Sequence, residues 1–133
     1  MANWEQLKKF IGDNYVVSSD VGNGLKLEFI GDGGRTQLMF ITYFSLNNGS
    51  EGWVTLESPV GKTAEIDLTR ALGGAGGVVC GGLALWDADP TLVMMKHAVP
   101  LENLDANELV RPMQLLAISA DKLEQELTGE DRF

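Results

Sequence analysis

The most restrictive pattern lies in the last third of the chain. Leu109, Met113, Leu116, Ala120, Leu123 and Leu127 follow one another at intervals of 4, 3, 4, 3 and 4 residues, which puts all six on one side of an α-helix. A helix with a single apolar seam gains most of its stability by laying that seam on another surface, so the rest of the chain must supply one. Its start is well marked. Asp105 is a natural N-cap with Glu108 three positions on, and Leu104 and Leu109 flank them as a hydrophobic staple. Gly129 is suited to end the helix, and Glu130 to Phe133 reads as a loose tail. Pro112 interrupts the pattern by removing one backbone donor and crowding the carbonyl of Glu108, so a kink or restart is expected there.

The surface for that helix is supplied by the segment from Tyr15 to Val60, where the apolar period falls to two and alternate side chains point to opposite faces of a sheet. Four strands are expected: Tyr15 to Ser19, Leu25 to Ile30, Thr36 to Leu46 and Gly52 to Val60, separated by turns rich in Gly, Asn and Asp. In the second, Leu25, Leu27 and Phe29 alternate with Lys26 and Glu28, so one face is wet. The third is apolar on both faces, with Leu38, Phe40, Phe44 and Leu46 on one and Met39, Ile41 and Tyr43 on the other. Such a strand is either covered on both sides or partly exposed and awaiting a partner. Pro59 marks a strand end or an edge.

Around this sheet the remaining elements are short. Asn3, with Gln6 three residues later, opens a helix whose apolar face is Trp4, Leu7, Phe10 and Ile11, and which Gly12-Asp13-Asn14 should stop. Lys8 and Lys9 fall on its solvent side. Asp67 caps a short helix through Leu68, Ala71 and Leu72, which gives way to the flexible run Gly73 to Gly77. Val78 to Trp86 and Leu92 to Val99 then form a hairpin about Asp87-Ala88-Asp89-Pro90. The expected architecture is α+β: N-terminal helix, antiparallel sheet, short middle helix, β-hairpin and long C-terminal amphipathic helix packed on the sheet, as one domain over residues 1–133.

Charge narrows the partners. Nineteen acidic residues against ten basic ones give a net charge of -9, which repels a phosphate backbone or an anionic membrane, so neither nucleic acid nor membrane is expected as a partner. The single Cys80 has no partner for an internal disulfide, and Met1-Ala2-Asn3-Trp4-Glu5 has no signal-peptide pattern, so a cytoplasmic, reducing setting is expected.

Neither the 16 glycines nor the few reactive side chains carry a recognisable chemical motif. Gly73 to Gly77 lacks the Lys and Ser or Thr of a phosphate-binding loop, and Gly22-Asn23-Gly24 meets Leu27 where a third glycine belongs. His97 and Cys80 lack metal-ligand spacing, and Ser50 sits in a loop sequence with no nucleophile elbow. Asp87, Asp89 and Asp32 are explained by turn chemistry. The expectation is therefore no catalytic residues, no metal and no cofactor.

Three stretches resemble class I type III secretion chaperones and their wider relatives, the YbjN-like domains. They are Trp53 to Gly61 (WVTLESPVG), Gly82 to Trp86 (GLALW) and Val99 to Leu104 (VPLENL), joined by Ala120-Asp121-Lys122-Leu123-Glu124 and by the order of elements. The resemblance implies a homodimer that holds a partly unfolded polypeptide client along hydrophobic patches, partly by strand addition. It also implies a dimer interface in the middle helix and the strand after it, here Leu68, Leu72, Val78, Val79 and Leu83.

Two functional readings result. The first is a non-enzymatic chaperone-like module with Met39, Ile41, Tyr43 and Trp53 as client-binding residues and an acidic rim that favours basic segments. The alternative is a regulatory or structural domain of the YbjN-like type, binding one folded partner through the long C-terminal helix.

Overall fold

The computed structural model describes the chain from Met1 to Phe133, apart from the side chain of Asp32. The turn chemistry expected of the Asp32 side chain therefore lies outside the described residues. The fold is α+β. Helix α1 (Trp4–Asn14) precedes strands β1 (Val17–Asp20), β2 (Gly24–Ile30), β3 (Thr36–Leu46) and β4 (Glu51–Lys62). Helix α2 (Leu68–Ala75), the hairpin β5 (Gly82–Trp86) and β6 (Asp89–Pro100), and helix α3 (Ala106–Thr128) complete it. All neighbouring strands are antiparallel, in the order β1-β2-β3-β4-β6-β5.

The seam of α3 lies on one face of this sheet. Leu109, Met113, Leu116, Ala120 and Leu123 pack with Leu7 and Ile11 of α1 against Leu27, Met39, Ile41, Val54, Leu56 and Met95 in one continuous core. The helix begins at the expected capping box, with Asp105 accepting from the Glu108 amide at 2.8 Å and Glu108 Oε1 from the Asp105 amide at 3.2 Å. It continues through Pro112 as one element, so the expected restart does not occur. Leu109 and Met113, both fully buried, anchor the chain on either side of the proline, and one missing hydrogen bond is outweighed by that packing.

The two shorter helices end inside their expected stop runs, each a few residues past the first glycine. α1 runs past Gly12 to Asn14, and the Tyr15 amide donates to Ile11 O at 2.8 Å. Glycine in a helix costs about 1 kcal/mol, too little to end it while Leu7 and Ile11 are buried. α2 likewise runs through Gly73 and Gly74. A Cβ at Gly74 would stand 2.7 Å from Leu123 Cδ1, so part of the glycine run serves close approach of α2 to α3.

Pro59 lies inside β4, a central strand, rather than at a strand end or an edge. The β4–β6 register shifts between Pro59 and Gly61, so a bulge accommodates the residue that cannot donate. On its other side, Gln37 Nε2 donates to Pro59 O and Ser58 Oγ, both at 2.8 Å, and Ser58 Oγ donates to Leu38 O. These side chains stitch β3 to β4 beyond the last ladder pair, Phe40↔Glu57.

The segment Val78 to Gly81 is not strand, and β5 starts at Gly82. Gly81 has φ +86°, and a Cβ there would lie 2.7 Å from Leu116 Cδ1 and 3.0 Å from Lys96 O. The chain is turned sharply into the sheet edge at that point. The final residues also differ from expectation. Asp131 accepts from the Thr36 amide at 3.0 Å, Arg35 Nη2 donates to Glu130 O at 3.2 Å, and the Arg132 amide donates to Glu124 Oε2 at 2.9 Å. The tail is strapped to β3 and α3.

Candidate functional site

The helices cover one face of the sheet and leave the other without a layer. On that open face the antiparallel register sets out cross-strand rows. Phe44, Trp53 and Pro100 form one; Gly24, Thr42, Thr55 and Ala98 form the next; Lys26, Phe40, Glu57 and Lys96 form the third. Two aromatic rows thus border a floor of small side chains. Phe44 and Trp53 stack with ring centroids 6.4 Å apart. Trp53 Nε1 donates to Glu51 Oε1 at 2.7 Å, which fixes the indole.

The third row is closed from above by Trp86. Its ring lies 4.8 Å from Phe40, although β6 and β4 stand between their strands in the sheet order. The tip of the β5–β6 hairpin therefore curls over the sheet and makes the face concave. Met94, whose partners are Pro59 and Ala84, is fully buried on this side. A cavity of about 210 Å³ opens at the β1–β2 end of the trough, lined by Ser19, Val21, Lys26, Thr42, Phe40 and Trp86 among others.

Glu57 is the one acidic residue of the third row, and it is only 8% exposed. Burial raises its pKa above the usual carboxylate range, with Asp87 adding to the rise and Lys96 and the Thr55 hydroxyl opposing it. The Thr55 contact is long, at 3.4 Å. Among the described residues no Lys or Arg forms an ion pair with it.

Of the residues expected to hold a client, only Trp53 lies on this face. Met39 and Ile41 are 0% exposed in the core, opposite Leu27 and Leu25 of β2, and Tyr43 is half-buried and stacks on Trp4 at 5.8 Å. The correction is one of parity. The half-buried apolar residues of β3 that look outward are Leu38, Phe40 and Phe44. The signal that could have found them is the wet parity of β2: Lys26 and Glu28 stand opposite Phe40 and Leu38.

The five residues assigned to a dimer interface divide. Leu68 and Leu72 on α2 and Val79 before β5 are exposed, Val79 by 83%, whereas Val78 and Leu83 pack against the core. They stand beside β5, which is an edge strand, and Leu85 on that strand is also exposed. The apolar seam expected to bind a folded partner through α3 is buried in the domain's own core.

Among the described residues, one group of three metal-ligating side chains comes together: Asp121, Glu124 and Asp131. Arg35 Nη2 already stands among them, 2.9 Å from Asp121 Oδ1, 3.6 Å from Glu124 Oε1 and 4.0 Å from Asp131 Oδ1. A guanidinium at that point supplies the positive charge a metal would otherwise bring, so we read the group as a structural ion cluster. Glu124 is 0% exposed, and its Oε1 accepts no hydrogen bond among the described residues. Burial pushes its pKa up to about 7, against the Arg132 amide and Arg35, which lower it. The adjoining cavity of about 550 Å³, between the end of β2 and α3, has Arg35 and Asp121 in its wall, but those two are already bonded to each other. His97 sits in β6 opposite Leu56, and Cys80 is a half-buried thiol whose pKa burial raises, which disfavours the reactive thiolate.

No family model matches the chain, and no curated protein matches it. Among the described residues no helix is long and apolar enough to cross a membrane.

Proposed function

We propose that this protein is a non-enzymatic, chaperone-like module that holds an extended polypeptide segment in the trough on the open face of its sheet. The observation that carries the reading is the pair of aromatic contacts, Phe40 with Trp86 and Phe44 with Trp53, on the sheet face that no helix covers among the described residues. Rigid aromatic side chains offer large contact area at small entropic cost, and the floor of Gly24, Thr42, Thr55 and Ala98 leaves room for a chain between them. The resemblance to secretion chaperones points the same way. A second copy is proposed to pair at the β5 edge, where Leu68, Leu72 and Val79 are exposed beside the outer side of the sheet's edge strand.

The test uses a reduced, alkylated protein that cannot refold, beside its native form. Binding is followed by tryptophan fluorescence and by calorimetry. Retention of the unfolded form alone, abolished in a Phe44→Ser/Trp53→Ser variant that keeps its circular dichroism, supports the reading. Equal binding by the variant, or binding only of native protein, sinks it; the second result favours a regulatory domain with one folded partner. Light scattering of Leu72→Glu/Val79→Glu addresses the dimer, which should dissociate if that edge forms it.

A further inference from the structure

We infer that the trough selects segments bearing a lysine or arginine, and that Glu57 beneath the Phe40–Trp86 pair takes the cationic end of that side chain. The inference rests on the polypeptide-binding reading and adds its specificity. Glu57 is in an unusual position for a carboxylate: nearly enclosed on the sheet face that carries no helix, with one long contact from a hydroxyl. Removing a carboxylate from water without a cation is costly, and a docking ammonium or guanidinium would return that cost as a charge-assisted hydrogen bond.

The surroundings favour such a guest. Phe40 pairs with Glu57 across β3 and β4, and Trp86 lies over Phe40, so two aromatic rings border the approach to the carboxylate. Aromatic faces attract cations and also cover the methylene stem of Lys or Arg. Asp87, at the hairpin tip that brings Trp86 over the sheet, adds a second negative charge acting on Glu57. The net charge of -9 attracts a basic segment from a distance.

Lys26 and Lys96 end the same row and oppose this choice. Lys96 acts on Glu57 through charge but is exposed and forms no ion pair with it among the described residues, so the carboxylate is still available to a guest.

The experiment uses one extended, apolar 15-residue peptide in three versions, with Arg, Gln or Glu at its central position, titrated into the full chain at 0.15 M salt. The Arg version is expected to bind on the order of tenfold more tightly than the Glu version, the equivalent of about 1.4 kcal/mol. In Glu57→Gln the preference should fall to about threefold or less, the remainder being long-range attraction from the net charge. Burial already disfavours the charged form at this position, so the variant should keep its fold, which a thermal melt checks. If all three versions bind wild type alike, or if the preference survives in Glu57→Gln, the inference is overturned while polypeptide binding stands. If none of the three binds, the polypeptide-binding reading itself fails.

Discussion

The two faces of strand β3 are almost equally apolar, yet they have opposite fates. Met39 and Ile41 vanish under α1 and α3, while Leu38, Phe40 and Phe44, one residue out of phase, stay half-exposed. Hydrophobic content does not separate them. What does is the set of side chains across the strand boundary: Leu25, Leu27 and Leu56 face Ile41 and Met39, whereas Lys26, Glu28, Glu57 and Trp53 face the outer set. Each side of the sheet also holds one enclosed carboxylate. Glu124 on the covered side is tied into an ion cluster with Arg35, and Glu57 on the open side has no ion-pair partner among the described residues.

The largest test of this contrast is a pair of truncations in the same strand. Met39→Ala should cost about 2–5 kcal/mol in urea unfolding, because it leaves a void in a closed core. Phe44→Ala, at the rim of the open face, should cost about 1 kcal/mol or less, chiefly the stacking on Trp53. Equal losses would erase the distinction between the faces.

Next in size is Gly81→Ala. The positive φ and the approach of Leu116 Cδ1 and Lys96 O leave no room for a Cβ, so a loss of about 1–3 kcal/mol is expected. An unchanged midpoint would mean that the entry to β5 is looser than drawn, and with it the hairpin that carries Trp86.

The two carboxylates give a smaller and pH-dependent effect. Glu124 has its pKa raised from 4.5 to about 7, so between those values the folded state binds more protons than the unfolded one. Its contribution to stability is therefore fully present below that window and is lost as pH rises through it, at no more than about 1.4 kcal/mol per pH unit. In Glu124→Gln the slope of unfolding free energy against pH should flatten between pH 5 and 7. Glu57 shifts in the same direction, and Glu57→Gln should flatten the curve less. The reverse order would move the more strained carboxylate to the open face.

Much of the architecture was legible before any coordinates. The capping box at Asp105, the α3 seam and the bounds of β3 depend on residues a few positions apart and appear as expected, while the β5–β6 hairpin forms with shifted ends, β5 starting only at Gly82 and β6 already at Asp89. The elements that misled were those where a local signal met a distant constraint. Pro112 favours an end to a helix, but the buried Leu109 and Met113 on either side of it carry α3 through. Pro59 favours an edge, yet a bulge and Gln37, 22 residues away, accommodate it at the centre. The tail lacks local structure of its own, and its restraint comes from Arg35 and Thr36, 95 residues distant.

The candidate site was only partly legible for the same reason. Sequence periodicity establishes that β3 has two apolar sets, because alternation is a property of one strand. Which set faces the helices depends on register with β2 and β4, and the choice of Met39, Ile41 and Tyr43 had no access to it. By itself, then, the sequence determined the kinds and ends of most elements, the acidic surface and the need for a sheet beneath α3, since these follow from local backbone preference, spacing and charge count. Only the tertiary structure decided which aromatic residues remain uncovered, how Trp86 comes to lie on Phe40 and why Glu57 is enclosed. Those outcomes require strands distant in sequence to be brought side by side and bent.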